Sequence, residues 1–575
     1  MSWSWAVREM SGAADRGRKL SEVTHPPARL PVLAGSGDKQ KPWFLIGAVA
    51  AMFVFTMLVN LSLSRLSGHL AMVPTYDDVN YFADALVRLR FADGFGLRSV
   101  IWSIISDPPH APVTTLTGML GFWLFGPEPI AAYLANGWVM LLFLVFMARM
   151  SRPLGNEPDR ALFIGVFLFV TAVQAMVMEF RPDLPSGLML AIAVHVICRF
   201  DFRTARLRDK IGLAAIAVAT TIIKPSAVIL TIPALSISLV LAVLTQCLND
   251  RKNYAFILKA ALPAIIAYFL MMVPFAVIWG RHTAEYIVGV LFTYADVWRT
   301  PGDAAFHWNY HLFGVGGKAA LGRFAKFGIA VIAIDLMLFA GVKRYRQRGV
   351  IQYYIMLVII YCAMATSGEK TPYQGSLIYL PMVIGVAMAL VRILAFAKDV
   401  SGVNWLPRAA LIIMIVVGAY RAPLAFYYYG AAPNSAQLPP IVERIVQRLV
   451  EIKLANVENP QCTDRPLEVV STDAEPIPVP LIQYEAAKVG VHVVTPVTFM
   501  MRDFPDMQTI ADHGDVVLIA DPSHHSTSRW LPGIVYNSAL FDHLAAQKGG
   551  ARYDVGSPDG TPQWLIVAPR CVVPK

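Results

Sequence analysis

Charged residues are scarce in this chain: Asp, Glu, Lys and Arg make up only 15% of its 575 residues. Ordinary soluble domains carry roughly 25%. Hydrophobic residues account for 56% of the chain, and its mean hydropathy is +0.53. Apolar runs of about 20 residues recur, which is the length that crosses a bilayer. This composition excludes a soluble enzyme, a fibrous protein and a disordered chain, and it predicts a polytopic α-helical membrane protein.

Nucleotide-binding and metal-binding motifs are missing as well. The chain contains no GxGxxG or P-loop pattern and no internal repeat, and its five cysteines show no CxxC spacing. The net charge of +10 does not indicate nucleic acid, because the basic residues cluster in short segments between apolar runs. The positive-inside rule accounts for that placement. We therefore expect no nucleic-acid partner.

The apolar runs predict about eleven membrane spans. Residues 1–42 are polar and basic, typical of a disordered cytoplasmic tail, and a first span follows at 43–63. Later apolar segments lie at 129–149, 161–179, 184–200, 211–224, 226–246, 257–279, 326–342, 350–366, 376–396 and 408–428. Basic residues recur in every second connection: Arg149–Arg160, Arg199–Lys210, Asn249–Asn253, Lys343–Arg348 and Lys398–Arg408. This alternation predicts a multi-pass inner-membrane protein with its N-terminus cytoplasmic and loops 64–128 and 280–325 outside.

The composition changes near residue 434. We expect a transmembrane domain over 43–430 and a soluble extracytoplasmic α/β domain over 434–575. The pattern predicts strands at Leu467–Thr472, Val491–Val497, Val516–Ala520, 551–555 and 563–568, and helices at 479–489, 506–513 and 534–547. The apolar segment 112–126 would disrupt the alternation as a span, and it is short, so we place it along the outer membrane surface.

Two adjacent carboxylates open the first outer loop, in the segment Tyr76-Asp77-Asp78-Val79-Asn80-Tyr81. Carboxylates just outside a membrane helix can act as a general base or bind a cation. The alternative is a helix N-terminus, in which Asp77 or Asp78 caps a helix over 79–92. Spacing alone favours the cap.

Other ionisable residues favour a functional role for this face. Glu179, Arg181 and Asp183 lie at the outer end of one pair of spans, and Lys224 lies at the outer end of the next. Charges at that depth are costly unless they are paired or functional. The alternative is that Arg181, Asp183 and Lys224 are interfacial anchors, which explains any one of them better than all three together. An anionic, membrane-embedded substrate would need this mixture.

The order of several short motifs resembles the membrane glycosyltransferases of the C superfamily, above all the protein O-mannosyltransferase and aminoarabinose transferase branch. Asp77-Asp78-x-x-Tyr81 is followed by His110-x-Pro112 and by an apolar segment ending Leu124-Phe125-Gly126. Arg181-Pro182-Asp183-Leu184-Pro185 matches the second acidic motif, and Ile222-Ile223-Lys224-Pro225 resembles the family's Thr-Lys-x-Pro pattern. Tyr373 to Pro381 resembles a later Tyr-x-x-Pro segment, whereas Asp107 replaces the basic residue that the family has before Pro-Pro.

The resemblance implies transfer of a sugar from a polyprenyl-phosphate donor in the bilayer to a hydroxyl group of a glycan, lipid or protein of the cell envelope. Asp77 would be the general base, and Lys224 would offset charge on the leaving phosphate. Catalytic roles fall on Asp77, Asp78 and Asp183. Substrate binding falls on Tyr81, His110, Glu179, Arg181, Lys224, Arg281, His307, Lys370 and Tyr373. No cofactor or metal is required, although Asp77, Asp78 and His110 carry suitable donor atoms for a divalent metal.

The loop 280–325 mixes aromatic and polar side chains, which suits sugar binding, and an interfacial aromatic belt explains it equally well. Asp335 lies inside an apolar span near its inner end, so we expect it to pack against a partner helix. His524-His525 is interpreted as a surface loop. The rival functions are a transporter or flippase of a lipid-linked or envelope glycan, which would need repeats and broken helices, and a non-catalytic scaffold.

Two cysteines flank the predicted strands of the C-terminal domain. Cys462 precedes the first strand and Cys571 follows the last, and strands at the two ends of a small α/β domain can lie side by side. An extracytoplasmic compartment permits disulfides to persist. The sequence therefore predicts a Cys462–Cys571 disulfide, with two unpaired thiols as the alternative.

Overall fold

The computed structural model of the protein describes residues 43–66, 78–371, 373–401, 405–426, 438–456, 465–471, 477–496, 498–522, 531–547, 550–556, 560 and 562–567. Asp77, the tail 1–42, His524-His525 and the Cys462–Cys571 pair lie outside the described residues. The general base, the disordered tail, the surface loop and the disulfide therefore stay predictions.

Helices dominate the described part before residue 430, because only a helix satisfies every backbone group of an apolar segment from within. They are α1 (Trp43–Leu66), α2 (Asp78–Phe95), α3 (Leu97–Ser106), α4 (Pro112–Phe125), α5 (Pro129–Ala135), α6 (Gly137–Met150), α7 (Glu157–Phe167), α8 (Thr171–Met178), α9 (Asp183–Arg199), α10 (Leu207–Ile223), α11 (Val228–Asn249), α12 (Tyr254–Val288), α13 (Ala295–Trp298), α14 (Ala304–Asn309), α15 (Val315–Ala320), α16 (Phe324–Gly341), α17 (Val350–Thr366), α18 (Ser376–Ser401) and α19 (Trp405–Phe426). Short 3-10 turns lie at Arg152–Leu154, Pro225–Ala227, Arg251–Asn253 and Lys343–Tyr345, and a π-helical turn at Gly289–Thr293.

Within the described ranges, five helical segments are long and apolar enough to cross a membrane: Pro129–Met150, Pro225–Asn249, Arg251–Thr293, Phe324–Gly341 and Ser376–Ser401. Each coincides with a predicted span. Several other apolar helices are shorter than the 18-residue criterion for a span, so the count of about eleven spans stays a prediction, as does the orientation of the termini.

The single span predicted over 161–179 is two helices. Segments Glu157–Phe167 and Thr171–Val177 meet at 87°. The Gln174 side chain donates to the backbone carbonyl of Leu168 at the break. A side chain that satisfies a carbonyl freed by a bend is a recognised cause of such kinks, and hydropathy alone does not reveal it.

The segment placed on the outer membrane surface forms the helix α4, which begins with Pro112 in its first turn and ends before Gly126 at φ 89°. Proline suits the first helical position, and glycine adopts the positive φ that ends the helix. Large apolar side chains stay exposed on α3 and α4: Leu97, Ile101, Trp102, Ile105, Leu116, Leu120, Trp123, Leu124 and Phe125. Exposed apolar stripes of this kind are what helices in a membrane interface present.

The C-terminal part is a five-stranded mixed sheet with helices. The strands β1 (Leu467–Ser471), β2 (Val493–Val494), β3 (Val516–Ala520), β4 (Ala551–Asp554) and β5 (Gln563–Val567) lie in the order β2-β1-β3-β5-β4. The β1 strand is parallel to β2 and β3, whereas β5 is antiparallel to β3 and β4. The helices are α20 (Leu438–Ala455), α21 (Val479–Lys488), α22 (Phe504–His513) and α23 (Asn537–Ala546), and Pro532–Tyr536 is a 3-10 turn. All predicted strands are present, although β2 is shorter than expected.

The C-terminal part shares a hydrophobic core with α2. The Phe82 ring of α2 lies 5.8 Å from Tyr484 of α21 and 5.2 Å from Phe180, measured between ring centroids. The Tyr484 hydroxyl also donates to the carbonyl oxygen of Pro127 at 2.5 Å. The C-terminal part therefore packs against α2 through Tyr484. Its status as a separate domain stays a prediction.

Helices α9 and α18 cross at Gly187, where a glycine lets the two backbones approach. A Cβ at Gly187 would lie 2.6 Å from the carbonyl carbon of Ser376. Small residues are typical of close crossings between membrane helices.

We expect Gly187→Ala to lower the free energy of unfolding by about 1–3 kcal/mol, the usual cost of overpacking. The matched control is Gly212→Ala in α10, because a Cβ there meets nothing within 4 Å. That control should be neutral or stabilising. Thermal unfolding of both variants in detergent checks the difference, and equal midpoints would contradict the close crossing.

Candidate functional site

Asp78 is the first residue of α2 and is 3% exposed. Its Oδ2 accepts hydrogen bonds from the Tyr133 hydroxyl at 2.7 Å and the Phe180 amide at 2.9 Å. Its Oδ1 pairs with Arg181 Nε at 3.0 Å. The helix N-terminus predicted at this acidic pair is present, and the Asp78 carboxylate joins α2 to α5 and to the turn before α9.

Arg181 also contacts a second segment, the one that contains Tyr373. Its guanidinium carbon lies 4.6 Å from the centroid of the Tyr373 ring, within the range of a cation–π contact. The Arg181 side chain is only 11% exposed. Asp78, Arg181 and Tyr373, which the sequence assigns to one site, therefore lie side by side.

Asp183 and Lys224 form the second charged pair. Asp183 begins α9 and is 3% exposed, and its Oδ1 accepts a hydrogen bond from the Lys224 ammonium. Lys224 has an extended backbone at the end of α10, before Pro225, as a residue preceding proline prefers. The Ser376 hydroxyl donates to the Asp183 carbonyl at 2.7 Å. Topology predicted this proximity, and the contact is present.

His110 lies beside this second pair. The Lys224 ammonium and the Asp183 carboxylate both act on its titration, and its ring centroid lies 4.5 Å from that of Tyr286. The residue itself is exposed to solvent, although the protein surrounds its site. Burial first and the Lys224 charge second lower the pKa of His110 to about 4, and Asp183 opposes them. The imidazole is therefore neutral at pH 7.

A network that the sequence analysis missed holds the His110 turn against α2. Arg88, 5% exposed, donates to Asp84 Oδ1 at 2.7 Å and to the carbonyl oxygen of Asp107 at 2.8 Å. Asp84 Oδ2 accepts a hydrogen bond from the Thr115 hydroxyl at 2.6 Å. The spacing of Asp84 and Arg88 by four residues on one helix was the available signal.

Lys370 lies in the segment that leads to Tyr373. It is 4% exposed, and its ammonium donates to the carbonyl oxygens of Met364 and Ala365 at 2.5 and 3.0 Å. These carbonyls belong to the last turn of α17, which has no intrahelical donors for them. Burial lowers the pKa of Lys370 to about 8. Its main contacts are thus those of a helix C-cap.

The remaining predicted residues are more dispersed. Tyr81 is half-buried against the core that α2 shares with the sheet, and the Glu179 carbonyl accepts from Asn136 at 3.1 Å. Arg281 is exposed and pairs with Glu285 at 2.8 Å, one turn away on α12. His307 is half-buried on α14.

Asp335 is fully buried, as a packing acid should be. It accepts hydrogen bonds from Tyr345 and Tyr354, and it pairs with Arg392 at 3.2 Å. The prediction of a partner-helix contact is confirmed. Across the described ranges, no group of three or more His, Cys, Asp or Glu side chains is placed to hold a metal ion. A metal is neither required nor excluded.

Two crystal structures of ArnT from Cupriavidus metallidurans are similar to this chain over nearly its whole length. The apo structure is 15% identical, with 92% of this chain and 100% of ArnT covered and a TM-score of 0.54. The structure bound to undecaprenyl phosphate is 14% identical, with 93% and 100% covered and a TM-score of 0.52. The sequence matches no protein-family model and no curated protein.

The likeness shows that this chain shares the fold of ArnT. The resemblance carried by the acidic pair, the Asp183 motif and the Lys224 motif is thus confirmed for the fold.

We expect Asp78→Asn to destabilise the protein by about 3–5 kcal/mol, because it leaves the Arg181 charge buried without its carboxylate. Tyr133→Phe removes a single hydrogen bond to that carboxylate and should cost about 1.5–3 kcal/mol. Denaturant unfolding in detergent measures both. The control is Glu451→Gln in the exposed Arg448–Glu451 pair, which should change little. An Asp78→Asn protein as stable as this control would contradict the central role of Asp78.

The low pKa of His110 predicts an acid-sensitive stability. The ring titrates near 6.5 when unfolded and about 4 when folded, so between these values the unfolded chain binds a proton that the folded protein does not. The free energy of unfolding therefore falls as the pH falls through this window. His110→Gln should lose less of its thermal midpoint between pH 7 and pH 5 than the wild type. Equal losses would argue against a lowered pKa.

Proposed function

We propose that the protein is a membrane glycosyltransferase that moves a sugar from a polyprenyl-phosphate donor to a hydroxyl acceptor at the outer membrane face. One observation carries the proposal: Arg181, Lys224 and His110 are gathered, with the carboxylates Asp78 and Asp183, at the end of α2 that adjoins Asp77. The shared fold with ArnT, which has been crystallised with undecaprenyl phosphate, supports the choice of donor.

The donor phosphate would bind between Lys224 and Arg181. Both cations are mostly buried, with side-chain exposures of 13% and 11%, and charge–charge interactions are stronger there than in water. An ammonium has three N–H donors, and the bond to Asp183 uses one of them. The two acids hold the cations in place before the ligand arrives, so little reorganisation accompanies binding.

Asp77 would be the general base. It would take the proton of the acceptor hydroxyl while that oxygen attacks the anomeric carbon and the bond to the phosphate oxygen breaks, with inversion. Lys224 and Arg181 would stabilise the negative charge that accumulates on the departing phosphate. Asp78 would position Asp77 by anchoring the start of α2. A monophosphate leaves with less metal assistance than a pyrophosphate, so the proposal includes no metal.

The protein would act in the cell inner membrane. The basic connections between the apolar segments support a cytoplasmic N-terminus. The same alternation would place loops 64–128 and 280–325 and residues 434–575 outside, where a hydroxyl acceptor of the envelope is accessible.

The bend between α7 and α8 is the one feature that favours a transporter, since broken helices are typical of transporter binding sites. The break comprises Leu168, Phe169 and Val170, which have no charged side chain to offer a substrate. The freed Leu168 carbonyl is satisfied by Gln174. The bend is therefore better explained as packing.

The test incubates purified protein with a panel of polyprenyl-phosphate pentoses and hexoses plus envelope glycolipids, and measures release of polyprenyl phosphate. Asp77→Asn should reduce the rate by about 10²–10⁴-fold, the usual cost of a lost general base. Lys224→Met should also reduce it, whereas the exposed control Glu451→Gln should not. Full activity of folded Asp77→Asn would sink the assignment of the base, and absence of release with every donor would sink the proposed reaction.

A further inference from the structure

A cluster of polar atoms without partners lies beside the proposed reaction site. Among the described residues, the buried side-chain atoms that lack a hydrogen-bond partner include His311 Nε2, His307 Nδ1 and Thr371 Oγ1. These three come from only two segments, 299–311 and 367–373. Buried polar groups are normally satisfied, and each exception calls for an explanation such as a bound molecule.

The two segments are joined by backbone contacts. The Thr300 amide donates to the Gly368 carbonyl at 3.1 Å, and its hydroxyl accepts from the Lys370 amide at 3.0 Å. The charge of Lys370 acts on the titration of His311. His311 therefore lies close to the segment that carries Thr371.

His311 is fully buried, and only one of its two ring nitrogens has a hydrogen-bond partner. Its Nδ1 lies 3.3 Å from the Tyr379 hydroxyl, and Nε2 on the far side of the ring has no partner. Burial and the nearby Lys370 charge lower the pKa of His311 to about 4. The ring is neutral at pH 7 and offers one donor and one acceptor.

The cluster borders the proposed donor site through the first turn of α18. Ser376 donates to the Asp183 carbonyl, and Tyr379 bonds to His311. Three helical residues advance about 4.5 Å along the axis, so the two residues that make these contacts lie less than one turn apart on α18. Tyr373, which lies under Arg181, precedes the same turn.

The unpartnered atoms are one imidazole nitrogen from each histidine and one hydroxyl, so no full charge is offered to a ligand. Aromatic rings flank them: Phe306 lies 5.5 Å from His307, and Tyr310 lies 5.0 Å from His311, between centroids. Sites that combine apolar walls with a few directed polar groups bind small molecules by their hydrogen-bonding groups. Hydroxyl groups on a sugar ring, each of which both donates and accepts, match these mixed donor and acceptor atoms.

We propose that His307, His311 and Thr371 form a carbohydrate subsite that binds hydroxyl groups of a sugar next to the reaction centre. The inference rests on the proposed glycosyltransferase function and adds the residues that recognise the sugar. The sugar is either the head group of the lipid donor or a glycan acceptor, since both present the same hydroxyl chemistry.

The sharpest variant is Thr371→Val, which keeps the side-chain shape and removes a hydroxyl that has no partner in the free protein. The thermal midpoint should therefore stay the same or rise, while sugar binding weakens roughly tenfold, the effect of one hydrogen bond. His311→Phe should weaken it further. The matched control is Thr366→Val, whose exposed hydroxyl bonds to its own helix at the Cys362 carbonyl. That control should leave binding unchanged.

Three probes show whether the bound sugar is the donor head group or a glycan acceptor. They are bare polyprenyl phosphate, polyprenyl-phosphate pentoses and hexoses, and water-soluble methyl glycosides. A loss confined to the sugar-bearing lipids identifies the donor head group, and a loss confined to the methyl glycosides identifies the acceptor. Unchanged binding of every sugar in Thr371→Val and His311→Phe overturns the subsite, as does a wild type that binds no sugar. Failure of the wild type to bind bare polyprenyl phosphate instead counts against the proposed function.

Discussion

The buried carboxylate of Asp78 is the constraint on which the candidate site depends. An ionised group in a 3% exposed position is tolerated only when donors surround it, and here three donors come from two places in the chain. Tyr133 belongs to α5, while Phe180 and Arg181 belong to the turn before α9. Because all three converge on one carboxylate, they constrain the start of α2, and Asp77 precedes it in the sequence by one residue.

Helix α21 of the C-terminal part packs against α2 close to that position. Phe82, one turn into α2, packs against Tyr484 of α21 and against Phe180, the residue whose amide binds Asp78. Arg90 at the far end of α2 also donates to the carbonyl oxygen of Ala487 at 3.2 Å. The same helix is therefore fixed by a polar contact at its start and by apolar packing along its length. Among its described residues, the contribution of the C-terminal part is this packing against α2.

The sequence was informative where the signal is local or topological. Composition predicted the helical membrane fold, and alternation predicted strands such as Val516–Ala520. The order of the spans predicted that Asp183 and Lys224 lie at the same membrane face, and the two side chains are in contact. The sequence was uninformative where a tertiary contact determines the local structure. The bend after Phe167, where Gln174 donates to the Leu168 carbonyl, is a tertiary feature of this kind. The carbonyl oxygens that Lys370 binds are likewise left unpaired only because α17 ends at Thr366. Hydropathy averages over the bend, and spacing does not show which groups a helix end leaves unpaired.

In the proposed reaction, the pairing of both central cations with acids affects how strongly they bind the donor and the transition state. Arg181 with Asp78 and Lys224 with Asp183 carry no net charge as pairs, so a phosphodiester donor with one negative charge gains little from them. The leaving phosphate acquires a second negative charge as the sugar departs, and the cations then gain a stronger partner. Interactions that strengthen only as the reaction proceeds lower the barrier, whereas equal binding of substrate and transition state does not. The acids that neutralise the resting site would thus direct its binding energy toward the transition state.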